Sequence, residues 1–170
     1  MNIMSRIAFK LPVIFMTVFL AMLLFQQEAK AQQKPPRPIS VIVNPIDGLS
    51  FGSFYQGISG GSVTISEYGS RSASGDVILI NSGSSVTAAT FEVQALPGTM
   101  IHIVNGPDAI LSWGGYSMTL KIGSALPGSS FITASNSTFV KIGGTLMVGS
   151  PSANPPGNYS GTFTVTFIQE

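Results

Sequence analysis

Three residues of this chain have the types and order of a hydrolytic triad: Ser50, Asp76 and His102. Ser50 stands in Gly48-Leu49-Ser50-Phe51-Gly52, a formal G-x-S-x-G nucleophile elbow, with the acid and then the base following it. The chemistry would be acyl transfer, with the imidazole taking the hydroxyl proton and the carboxylate orienting the ring. An elbow works because a strand turns sharply into a helix and lifts the hydroxyl above a parallel sheet. Here the glycines of residues 57–61 follow within a few positions and oppose a helix. No other segment supplies the crossover helices such a sheet needs. The same letters read as a strand with small side chains toward solvent, and no catalytic residue is expected.

The other chemical candidates weaken on the same kind of test. His102 lies between Ile101 and Ile103, on the strand face of Met100 and Val104, and is the one histidine of a chain with no cysteine. Nitrogen and sulfur ligands are too few for a transition metal. Asp47, Asp76 and Asp108 each sit close to Gly or Pro, where short carboxylates cap turns, and no run of alternating acids forms a calcium loop. No metal or other cofactor is expected. Residues 57–61 form a glycine-rich loop without the following helix that a phosphate site requires. Asn136-Ser137-Thr138 and Asn158-Tyr159-Ser160 fit the glycosylation sequon. Trp113 and Tyr116 straddle Gly114-Gly115, and such a pair can stack a sugar ring or cover the end of a core.

What must position these residues is a set of strands. Phe163, Val165 and Phe167 alternate with Thr162, Thr164 and Thr166. Period two sorts side chains onto opposite faces of a β-strand. Pro155-Pro156-Gly157 leads into that segment as a turn. Upstream, apolar runs are separated by Gly, Pro, Asn and Ser, the spacing of an all-β sandwich. Strands are expected over 40–44, closed by Pro45, over 49–55 and over 62–67. The unbroken run Val77-Ile78-Leu79-Ile80 predicts a central strand covered on both sides. Further strands are expected over 91–95 and 100–104. Residues 111–113 and 116–122 flank a two-residue hairpin turn. Val140, Ile142, Leu146 and Val148 share parity across Gly143-Gly144, which predicts a bulge there. No window holds a 3.6-residue period, so little helix is expected.

The N-terminus reads as a targeting segment. Arg6 and Lys10 precede an apolar run over 11–25, and Ala29-Lys30-Ala31 offers a cleavage pattern before Gln32. The run is shorter than the ~20 residues a spanning helix wants and holds Pro12. The expected organisation is a signal peptide at 1–31, a Pro-rich leader at 32–38 and a β-sandwich at 39–170. Cleavage would leave 139 residues with 5 basic against 6 acidic side chains, turning a net charge of +1 into −1. Eleven charged residues leave no basic stripe, so nucleic acid is not an expected partner. No membrane span is expected after cleavage, and the expected location is outside the cytosol: periplasm, outer surface or medium.

Tyr159, in Gly157-Asn158-Tyr159, is placed like the tyrosine that ties a corner of immunoglobulin-like sandwiches to upstream backbone, and Gly161 stands where antibody domains carry a cysteine. Tyr159 and Gly157 are accordingly read as structural. The fold expected is all-β, a single immunoglobulin-like antiparallel β-sandwich. Several segments recur together in order: Leu49-Ser50-Phe51-Gly52, Gly60-Gly61-Ser62-Val63-Thr64-Ile65-Ser66, Ser72-Ala73-Ser74-Gly75 and Ala89-Thr90-Phe91-Glu92-Val93. They continue with Leu96-Pro97-Gly98-Thr99, Gly143-Gly144-Thr145-Leu146-Met147-Val148 and residues 156–165. The set resembles the bacterial secreted family known as domain of unknown function 4402, over about residues 40–168. The ending is distantly similar to the Gly-x-Tyr and Thr-Val alternation of spore-coat-U-type pilus subunits. The first resemblance implies a secreted β-sandwich of Gram-negative envelopes, with no established activity and no functional residues to carry over.

The function expected from these readings is structural or adhesive, a surface-assembly subunit without catalysis, whose partners are copies of itself or other envelope proteins. Strand exchange would use Val41 and Val43 from the N-terminal segment, or Phe163, Val165 and Phe167 from the last strand, if either strand lies at a sheet edge. The alternative is a carbohydrate-binding module using Trp113 and Tyr116.

Overall fold

The structure is a computed structural model that describes residues 40–43, 47–81 and 83–170; for 40–43 it describes the backbone alone. The signal peptide and Pro-rich leader expected at 1–38 lie outside the described residues. Twelve strands and no helix make up the described fold. They are β1 (Ser40–Val43), β2 (Ser50–Phe51), β3 (Ser53–Ile65), β4 (Arg71–Ile80), β5 (Val86–Thr87) and β6 (Ala89–Gln94). The second half holds β7 (Met100–Asn105), β8 (Ala109–Trp113), β9 (Tyr116–Leu126), β10 (Ser130–Ile132), β11 (Ser137–Val148) and β12 (Val165–Gln169). Among the described residues no helix is long and apolar enough to cross a membrane.

All pairings are antiparallel, and the sheets pack in a sandwich-like arrangement. The large sheet runs β1-β6-β11-β3-β4, with β9 on β11 and β8 on β9. The second sheet runs β10-β7-β12, and β2 pairs with β5 separately. The long strand β11 organises the large sheet. Its residues 137–142 pair with β6, 144–148 with β3, and 141–147 with β9. Its even-numbered positions point inward, where Val140, Ile142, Leu146 and Val148 are buried. Val140 and Ile142 join Phe91, Val93, Ile101, Ile103 and Phe131 in one core cluster. Leu146 and Val148 join Phe51, Val63, Ile65, Val77 and Leu120 in another. Leu49, Ile122 and Phe163 pack against both clusters, so the interior is continuous. Its deepest residues, Val63, Val93, Ile101, Val140 and Ile142, are 0% exposed.

Several expectations need correction. The run at 77–80 is not a central strand: β4 ends the sheet order, with Val77 in the core and Ile78 exposed opposite Tyr55. Nor is the run covered on both faces, so four apolar residues without alternation guarantee neither cover nor a central place in the sheet. The strand expected at 49–55 is two strands, broken at Gly52, whose φ is +66°. The Arg71 guanidinium fills that break, donating to the carbonyls of Phe51 at 3.0 Å, Ser53 at 3.2 Å and Ile80 at 3.0 Å. Charge-assisted bonds to three carbonyls hold the start of β4 against the kink. The glycine-rich stretch at 57–61 is part of β3, although its register breaks there. Gln56 pairs with Val77 and Gly61 with Gly75, so three extra residues bulge from β3 and leave Ile58 exposed.

The bulge expected at Gly143-Gly144 exists, but the extra residue belongs to the facing strand. Ile142 pairs with Ala125 and Gly144 with Ile122, two steps on β11 against three on β9. The last strand begins at Val165 and not at Thr162. Before that point the chain is bound elsewhere. Ser160 bridges Ser112 of β8 through bonds of 2.8 and 3.2 Å, and Gly106 N–H donates to the Thr164 carbonyl at 2.8 Å.

Candidate functional site

The triad order does not become a triad. Ser50 Oγ donates to the Ser85 carbonyl at 2.7 Å. Asp76 accepts the Ser59 N–H at 3.3 Å, closing the β3 bulge beside Gly57. His102 lies on the outer face of β7, with Nδ1 2.7 Å from Ser130 Oγ. Its Nε2 is 3.2 Å from Glu170 Oε2, an approach without hydrogen-bond alignment. Each of the three thus has separate partners. Among the described residues, no three His, Asp or Glu side chains come together in a way that could hold a metal.

The Trp113–Tyr116 hairpin forms as its sequence dictates. Gly114 and Gly115 have φ of +57° and +87°, the double positive turn whose twist suits two antiparallel strands. Trp113 and Tyr116 stand directly opposite each other, 41% and 42% exposed. The indole has a built seat. A Cβ on Gly157 would overlap its six-membered ring, so only glycine lets the ring lie flat on the backbone there. Tyr159 approaches with a centroid distance of 6.1 Å and a tilt of 50°. Its hydroxyl donates to the Pro155 carbonyl at 2.9 Å, tying the residue to backbone four positions upstream. Asn154, missed by the sequence reading, anchors the same corner. It is buried, its side chain donates to the Ser117 carbonyl at 2.7 Å and accepts the Gly149 N–H at 2.6 Å, and its own carbonyl accepts from Gln56. Its signal was the Asn-Pro dipeptide Asn154-Pro155, a turn marker.

The two candidate exchange strands occupy sheet ends. β1 pairs with β6, placing Val41 opposite Val93 and Val43 opposite Phe91. β12 pairs with β7 and ends the second sheet. Phe163, Val165 and Phe167 pack against the core cluster around Phe91, with Phe91–Phe167 centroids at 5.5 Å and Phe91–Phe163 at 6.4 Å. These side chains are partly buried and full burial of one contributes ~1.5–3 kcal/mol, so lifting the segment 163–167 out would uncover a few kcal/mol of core. β1 is four residues long and stands at the far end of the order.

Two further aromatic residues escaped the sequence reading. Tyr68 on the β3–β4 turn and Phe139 on β11 are 70% and 63% exposed. Phe139 was legible, since the parity that buries Val140 and Ile142 turns it outward. Tyr68 was not, because a turn carries no parity.

Comparison with curated proteins and with solved structures gives no match. The sequence profile of the family described as Domain of unknown function (DUF4402) matches residues 41–168, which is most of the chain. That stretch holds the described strands from Val41 of β1 through Ile168 of β12, the Trp113 hairpin and the Tyr159 corner. The chain belongs to the DUF4402 family.

Proposed function

We propose that this chain is an exported, non-catalytic envelope protein of a Gram-negative bacterium that assembles copy to copy by exchanging β1. The signal peptide expected at 1–31 supports export, and the tie between Tyr159 and Pro155 supports an immunoglobulin-like sandwich. The distant likeness of the last segment to spore-coat-U-type pilus subunits agrees with assembly. The observation that carries the reading is the position of β1. It is a short terminal strand of the large sheet, paired with β6 and joined to β2 through a segment that contains Pro45. A β1 donated by a neighbour makes the same ladder on β6 as the chain's own β1. Exchange therefore costs little beyond ordering, and head-to-tail donation grows an open chain of subunits. Without β1, the edge of β6 that carries buried Phe91 and Val93 would face solvent.

The test compares residues 32–170 with a chain starting at Leu49. The longer protein is expected to form concentration-dependent oligomers. The shorter one is expected to be monomeric and to melt about 5–10 °C lower, the shift for ~2 kcal/mol in a domain this size. A strictly monomeric longer protein, with a truncation harmless to both size and melting, overturns strand exchange.

A second reading assigns glycan binding to Trp113 and Tyr116. It is favoured by their direct pairing and shared half-exposure, with the indole held flat over Gly157.

A further inference from the structure

Tyr68 and Phe139 are the two most exposed aromatic side chains among the described residues, and both line one groove of about 510 Å³. Neither belongs to a core cluster. Phe139 and Lys141 project from the outer face of β11, opposite Glu92 and Thr90 of β6. Tyr68 is carried by a tied turn. The Ser66 hydroxyl accepts the N–H groups of Tyr68 at 3.3 Å and Ser70 at 3.1 Å, and the Ser66 carbonyl accepts that of Gly69 at 2.9 Å. The backbone of Ser66 and Glu67 lies directly against Gly143 of β11, which fixes the turn over the central strand. The turn that carries the ring is therefore held in place before any ligand arrives.

The rest of the lining decides what fits. Asp47 and Lys141 supply one carboxylate and one ammonium beside Val86 and Ala88, and the hydroxyls of Thr87 and Thr90, which donate to the Gly48 and Ala88 carbonyls, keep their oxygens as acceptors. A nucleic acid would need a basic lining, and here Lys141 is offset by Asp47. A wholly apolar partner would strip water from both charges without replacing it. A pyranose offers the matching surface, with a C–H face for each ring and hydroxyls that donate to the carboxylate and accept from the ammonium. The groove lies within the ~300–1,000 Å³ range of small-ligand clefts. The geometry points to a binding groove for neutral, linear oligosaccharides between Tyr68 and Phe139. Neither Trp113 nor Tyr116 lines it, and it does not depend on strand exchange.

The test is calorimetric titration of residues 32–170 with neutral hexasaccharides of β-linked glucose and of β-linked N-acetylglucosamine. Binding of at least one is expected. Tyr68→Ala and Phe139→Ala are each expected to weaken it about tenfold, the scale of one lost aromatic stack. Phe139→Leu keeps apolar bulk without a flat face and is expected to lose as much. Trp113→Ala is expected to bind as the parent does. Exposed side chains outside the core should leave the melting temperature unchanged, which separates lost binding from lost fold. The inference is overturned if neither sugar binds. It is overturned equally if binding survives in the Tyr68 and Phe139 variants, or disappears with Trp113→Ala while those variants retain it.

Discussion

Replacing Gly143 by valine is expected to leave no folded protein. Gly143 sits on β11, the strand that pairs with β3, β6 and β9. A Cβ there would overlap the Ile65 carbonyl oxygen and stand 2.8 Å from the Ser66 carbonyl carbon and 2.9 Å from the Glu67 nitrogen. All three are backbone atoms, so no side-chain rotation relieves the clash. Relief requires moving the end of β3 away from β11, which opens the ladder at Gly144–Ile65 and uncovers Val63, Ile65 and Leu146. The cost is expected to exceed ~4 kcal/mol, a large part of the ~5–15 kcal/mol that holds a domain together. Gly48→Ala is the control, because an added Cβ there meets nothing within 4 Å and φ is not in the left-handed region. Circular dichroism and urea unfolding should show a parent-like Gly48→Ala and an unfolded or aggregated Gly143→Val.

Replacing Gly157 by valine is expected to act on a single side chain. The new Cβ would occupy the space of the Trp113 indole, and the indole can swing into solvent where the backbone at Gly143 cannot. Ejection removes the ring from Gly157 and breaks its contact with Tyr159, costing about 2 kcal/mol of packing. The chain has one tryptophan, so its emission reads the event directly. The spectrum should move to the position of a water-exposed indole, with easier quenching by iodide, while the β-sheet dichroism is kept. An unshifted spectrum would mean that Trp113 does not rest on Gly157.

The architecture was legible where side-chain parity reports one fact. The alternation Phe163, Val165, Phe167 identified a core-facing series, and the same three side chains pack around Phe91. Gly114-Gly115 named its turn because two positive φ angles leave few other residues free to stand there. Parity fails on questions of neighbourhood. The run at 77–80, which has no alternation, suggested cover on both faces, but β4 proved to be an edge with Ile78 exposed. The extra residue of the β9–β11 bulge lies in β9, although the glycine pair that signalled it lies in β11. Glycine marks where two backbones approach closely, and either of them can hold the surplus. Arg71 was invisible because its role depends on three carbonyls from segments up to 20 positions away. The triad letters misled for the converse reason. Ser50, Asp76 and His102 satisfy an order along the chain, while strands β2, β4 and β7 carry them to separate partners.

Strand exchange can be read covalently, because the chain has no cysteine of its own. Ile42 and Glu92 stand directly opposite each other in the β1–β6 ladder. Opposed antiparallel residues lie about 4.5–5.5 Å apart at Cα, within the span of a disulfide. The Ile42→Cys, Glu92→Cys double variant, oxidised mildly and run on a denaturing gel without reductant, is predicted to give a ladder of linked multimers that collapses to one band when reduced. A single band of internally bridged monomer at every protein concentration would mean that β1 stays on its own β6, and would contradict the proposed assembly.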